Sequence, residues 1–275
     1  MNDMPFSINL LADLHFILQY QFMQHAFEAG TVVAIVAGII GYLVVLRKSS
    51  FAAHALSDIG FAGAAGAVLL GINPIFGLLL FSTVSGVGIA MLGKRATHRD
   101  VEIGTVLAFM LGLGVLFISL YTGYATEAYS ILFGEILGIS SSDVLITVIV
   151  SAAILVVAAI VYRPLLFASL DEDVAEAKGM RVLLLGIIFM ILLAAAVSIA
   201  VQVVGVLLIF ALMVTPAAIA VRLTKKPSYA IAISSLISLS ATWIGLFIAF
   251  YEPYPVSFFI TSIVFLLYIL VRFAR

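Results

Sequence analysis

Two ionisable residues, His54 and Asp58, stand four apart in an otherwise apolar, small-residue run. From Ser49 it reads Ser-Ser-Phe-Ala-Ala-His-Ala-Leu-Ser-Asp-Ile-Gly-Phe-Ala-Gly-Ala-Ala-Gly. Residues i and i+4 share one helical face, so the imidazole and the carboxylate lie one above the other. They offer nitrogen and oxygen donors that suit a borderline divalent cation such as Zn²⁺ or Mn²⁺. Ser50 and Ser57 fall close to the same face and are candidates to line a path beside it. The plainer reading is that His54 and Asp58 hydrogen-bond each other or an adjacent helix. Ionisable groups within a bilayer are costly and mark pathways, so ligation or transport is the stronger reading, and both stay open.

Two further stretches stand out. Asp171-Glu-Asp-Val-Ala-Glu-Ala-Lys-Gly-Met180 is the dense charge run of the chain. Acids at its start and Lys178-Gly179 at its end complement a helix dipole and supply a stop, so the run predicts a short helix. A charge run is ordinarily a solvated loop; one this short between apolar segments also suits docking of a soluble partner. The other stretch, Val204–Pro216, carries a proline that removes a backbone bond and should kink or break its span. Broken helices are tolerated in membranes where they are buried or line a cavity.

Hydrolytic chemistry has no foothold. None of His15, His25, His54 and His98 is followed by Glu, so the zinc-protease helix is missing. Gly88–Lys94 fits seven positions of a phosphate-binding loop, but Arg95 stands where Ser or Thr is needed. There is no Gly-x-Ser-x-Gly elbow. No residue is assigned a catalytic role, and the chain is read as no enzyme.

The elements that must position these groups follow from composition. Of 275 residues, 64% are hydrophobic and 10% charged, against roughly a quarter charged in soluble domains. The missing polar surface implies a lipid-facing one. A net charge of -1 argues for no nucleic-acid partner, and the lack of cysteine excludes disulfides and thiolate metal sites. Residues 1–28 contain no Lys or Arg, so they are no signal peptide; their mixed spacing suits an amphipathic N-terminal segment. Residues 29–275 form the membrane domain.

A span needs about 20 predominantly apolar residues. Candidates are 29–46, 51–71, 75–93, 102–122, 144–162, 181–200, 203–221, 228–250 and 255–271. Only Gln202 and a few small residues part the sixth from the seventh, so the all-α, polytopic bundle has eight or nine spans. The cations choose between them: Arg47 and Lys48; Lys94, Arg95 and Arg99; Arg163, Lys178 and Arg181; Arg222, Lys225 and Lys226; Arg272 and Arg275. With nine spans these clusters occupy alternate loops and the C-terminus, which the positive-inside rule makes cytoplasmic. The N-terminus then lies outside. The Gly- and Ala-rich second span, which bears His54, should be central in the bundle.

The sequence resembles the permease subunits of ABC importers for zinc, manganese and iron, the metal-uptake ABC transporter family. Four stretches carry the resemblance: Phe51-Ala-Ala-His-Ala-Leu56, Tyr129–Ser140, Leu170–Met180 and Val204–Ala220 with its Thr-Pro. It implies a multi-pass protein of the bacterial inner membrane that forms a homodimer. It also implies cytoplasmic ABC ATPase subunits and an extracytoplasmic metal-binding protein as partners. Residues 171–179 then match the family's coupling helix, with Asp171, Glu172, Asp173, Glu176, Lys178 and Gly179 meeting the ATPase. His54 matches a histidine of the family's metal path. Many relatives carry an Asp four residues before it; here Ser50 stands there, and Asp58 supplies a carboxylate on the opposite turn. Zinc is the cargo favoured by the resemblance, with manganese and iron as alternatives, and no stably bound cofactor is implied. The competing function is a proton-coupled secondary transporter of a small solute that uses His54 and Asp58.

Overall fold

A computed structural model of the chain describes residues 10–92, 100–121, 136–252 and 254–274. The expected loop cations Lys94, Arg95 and Arg99, and the first part of the Tyr129–Ser140 stretch, lie outside the described residues. Among the described residues there are eleven α-helices and no strand. Eight are long and apolar enough to cross a membrane: α2 (Gln21–Leu46), α3 (Ser50–Leu69), α4 (Pro74–Leu92), α5 (Asp100–Leu120), α6 (Ser141–Leu170), α8 (Val182–Val204), α10 (Pro227–Tyr251) and α11 (Val256–Phe273). Three are short: α1 (Leu10–Ile17), α7 (Glu172–Ala177) and α9 (Thr215–Leu223).

Two spans are longer than hydropathy suggests. α2 begins at Gln21 rather than near Ala29, because Met23, Ala26 and Phe27 are already buried and carry its helix outward. α6 continues past Arg163, through Pro164, to Leu170. Its 30 residues span about 45 Å, well beyond a hydrocarbon core of about 30 Å. The extra turns deliver the chain directly into α7.

Contacts at the helix ends give α2, α6, α8 and α10 a direction. His25 near the start of α2 bonds Ser141 at the start of α6, and Arg47 after α2 bonds Ser169 near the end of α6. α2 and α6 therefore run side by side from a His25 end to an Arg47 end. Gln202 in the last turns of α8 donates to Asp143 at 3.1 Å, which places it at the His25 end. Phe16 and Tyr20 touch Phe250, the penultimate residue of α10, so α10 also finishes at the His25 end and starts at the Arg47 end. The chain between Gln202 and Pro227 must consequently cross the bundle. It is the ninth crossing, made without a long helix: a 3-10 turn (Val206–Leu208), a π-helical turn (Phe210–Val214) and α9.

The span bearing His54 is central, as its small residues predict. Of the eight long helices α3 is the most enclosed, with 72% of its apolar window buried against 11% for α5. It lies on α4 so closely that a Cβ on Gly63 would strike the Gly77 carbonyl, and one on Gly77 the Gly63 carbonyl. Such backbone approach is how membrane helices gain dispersion contacts when lipid is as apolar as their own side chains. Ser82 of α4 adds a bond to the Leu56 carbonyl at 3.0 Å.

Candidate metal path

His54 and Asp58 lie on one face of α3, as their spacing requires. His54 Nε2 stands 3.8 Å from Asp58 Oδ2. That is an ion-pair distance and too long for a hydrogen bond, so neither side chain is consumed by the other. Two donors each about 2.1 Å from one metal can be at most about 4.2 Å apart, and the pair falls within that limit. The two side chains remain 48% and 23% exposed within this one chain. An ionisable pair in an apolar span is costly against lipid. Its open side calls for something polar, or a second protein surface, to cover it. Among the described residues no group of three His, Cys, Asp or Glu gathers. Two donors per chain suit a weak, passing ligand better than a stored one.

The broken crossing meets this face. The ring of Phe210 stands edge-on to His54, with centroids 6.5 Å apart. Ser57, one residue before Asp58, is fully buried and donates to the Val206 carbonyl at 3.3 Å. Ser50 begins α3 and is half-buried. Two features that are separate in sequence, the His54 run and the Val204–Pro216 stretch, are thus one place in the fold.

The break has two causes rather than the one that Pro216 suggests. Gly205 ends α8 with φ +83° and ψ 163°, a region essentially closed to residues with a Cβ. Pro216 stands at the first turn of α9, where a missing N–H is tolerated. It has no N–H to give to the π-helical turn before it, and Ser238 of α10 donates to the Leu212 carbonyl of that turn at 2.9 Å. Ser57 thus adds a second donor to the Val206 carbonyl, which already accepts the Ile209 N–H within the 3-10 turn, and Ser238 serves the Leu212 carbonyl; such side-chain donors support irregular backbone at membrane depth.

The acidic run folds as its ends dictate. Asp171 caps α7 by accepting from the Val174 N–H at 3.0 Å, Glu172 and Asp173 occupy the first turn, and Gly179 turns the chain at φ +79°. Ala175 is the buried residue of this helix, whereas Asp173, Val174, Glu176 and Lys178 are exposed. Lys178 also lies over the Phe167 ring, 4.9 Å from its centre.

Several participants carried no distinguishing signal in the sequence. Arg47 counts there only as a topological cation, yet it is buried and 3.7 Å from Glu172. His25, Asp143 and Gln202 gather at the opposite end, where Asp143 also closes a capping box with Ser140. Gly205 was readable in principle, being a glycine between Val204 and Val206, but Pro216 is the louder break.

Comparison with known proteins gives a consistent picture. Residues 19–275 match the family model described as the ABC 3 transport family. The chain is 33% identical to the manganese transport system membrane protein MntC of Listeria monocytogenes, over 85% of this chain and 84% of that protein. It is 34% identical to the manganese import system permease protein ScaB of Streptococcus gordonii, over 84% and 83%. Among solved structures it resembles a chain of PsaBC from Streptococcus pneumoniae in complex with Fab. There the TM-score is 0.84, with 30% identity and 95% of each chain covered.

Proposed function

This chain belongs to the ABC 3 transport family and is a membrane permease of the metal-uptake ABC transporter class, and from that premise we propose that it carries manganese past His54 and Asp58 by alternating access. The observation that carries the reading is the half-exposed His54–Asp58 pair set against the broken crossing. Imidazole and carboxylate donors, without thiolate, fit manganese as well as zinc. The names of the similar proteins, which say manganese, turn the choice away from the zinc expected from the sequence.

A second copy of the chain is the proposed cover for the open side of the pair, completing a path between two permeases. The Arg47 end is cytoplasmic in this reading, in keeping with the cation count. There α7 offers Asp171, Glu172, Asp173, Glu176, Lys178 and Gly179 to a separate ABC ATPase, which hydrolyses the ATP. The His25 end faces an extracytoplasmic metal-binding protein, and the membrane is the bacterial cytoplasmic one. Family membership favours this ATP-driven importer over a proton-coupled transporter.

The test is uptake of manganese, in competition with zinc and ferrous iron, by cells carrying His54→Ala or Asp58→Ala. Each variant should reach the membrane and lose manganese uptake about tenfold or more. Undiminished uptake of all three metals in both variants would remove the pair from the path.

A further inference from the structure

Arg47 is a charged residue only 4% exposed, held where α2, α6, α7 and α8 meet. Its Nη1 donates to Ser169 Oγ of α6 at 3.1 Å, its Nη2 lies 3.7 Å from Glu172 Oε1 of α7, and its guanidinium stands 4.9 Å from the Phe189 ring centre of α8. A buried ion pair seldom adds net stability, because desolvation offsets the attraction; its best-attested use is to fix a register or a switch. The surroundings suggest what is being fixed.

Only Arg47, Lys48 and Ser49 separate α2 from α3. That turn is stiff: Ser49 N–H donates to the Val44 carbonyl at 2.9 Å, Ser49 Oγ to the Arg47 carbonyl at 3.2 Å, and Lys48 takes a left-handed φ of +53°. His54 follows one helical turn after Ser50. At the far end, His25 Nδ1 lies 3.1 Å from the Ile139 carbonyl and its Nε2 3.2 Å from Ser141 Oγ. α2 and α6 are therefore fastened to each other at both ends and form one body.

We propose that Arg47 is the positioning residue that joins α7 to this α2–α6 body, so that displacement of α7 by an ATPase is passed through the Arg47–Ser49 turn to the His54–Asp58 face. The assignment rests on the reading that α7 docks the ATPase. Arg47 acts in this scheme through Ser169, Glu172 and the turn after α2 rather than on the metal itself. Its planar fork holds Ser169 and Glu172 at once, which a lysine ammonium does less well.

The test reconstitutes the full complex, permease with its ATPase and metal-binding protein, in proteoliposomes, and reads ATPase stoichiometry, ATP hydrolysis and manganese uptake together. Arg47→Gln should keep its ATPase and hydrolyse ATP, while uptake per ATP falls by about tenfold, within the range of ordinary coupling between sites. Arg47→Lys should fall less, and it carries the test if the glutamine variant does not fold. An unchanged uptake per ATP would overturn the inference. So would loss of the ATPase from either variant, because the pair would then hold the partner rather than pass its motion. Val174→Arg, on the exposed side of α7, tests the docking reading separately: an ATPase that stays bound to it defeats that reading whatever Arg47 does.

Discussion

Ser57 donates its hydroxyl to the carbonyl of Val206 across 3.3 Å, joining residues 149 positions apart in the chain. The bond has a consequence on each side. It gives a second donor to an oxygen that already accepts the Ile209 N–H, and it pins the His54–Asp58 turn of α3 to the start of the broken crossing. Where Val206 moves, the pair should move with it.

Ser57→Ala should therefore cost more than the loss of a surface hydroxyl. It removes a buried hydrogen bond between distant elements, worth on the order of 1 kcal/mol, read as a lowered melting temperature of the purified protein in detergent. Manganese uptake should fall as well, because α3 loses its tether to the break. Uptake and melting both unchanged would mean that the serine is an idle neighbour.

Gly205→Ala tests the break itself. A φ of +83° with ψ 163° is open to glycine and strained for alanine by about 1–3 kcal/mol. The substitution should either destabilise the protein or drive residues 201–209 toward continuous helix, and transport should be lost in both cases. Retained stability together with wild-type uptake would show that the glycine conformation is not required.

Asp171→Ala removes the cap of a six-residue helix. Loss of a side-chain cap costs about 1 kcal/mol, which corresponds to roughly a fivefold shift in a local opening equilibrium. Amide hydrogen exchange at Val174 should quicken by about that factor, and the affinity for the ATPase should drop with it. The eight long helices should exchange as before; general acceleration across them would signal global rather than local loosening.

Much of the fold was legible because its determinants are local. Twenty-odd apolar residues make a span wherever they occur, and every long helix lies close to a hydropathy segment. α7 was legible in finer detail, since Asp171, the two following acids and Gly179 act within one or two helical turns of each other. The charge pattern argued for a ninth crossing, and end-to-end contacts of α2, α6, α8 and α10 bear it out. What the pattern lacked was the form of that crossing. Pro216 drew attention to one end of the stretch, and the positive-φ glycine eleven residues earlier, which ends α8, went unremarked as a break.

The sequence by itself determined that this is a polytopic helical membrane protein, where its long apolar helices stand, that His54 and Asp58 share a face, and where a short acidic helix stands. These follow from hydropathy, helical periodicity and capping, all of which act over a few residues. Only the tertiary structure decided that Ser57 meets Val206, that Ser238 meets the Leu212 carbonyl, and that Arg47 rather than Lys48 is drawn inside to Glu172. In an apolar bundle one Leu- or Ala-rich face packs nearly as well as another. The pairing of distant polar groups is settled when the helices take their places and each buried donor must find an acceptor.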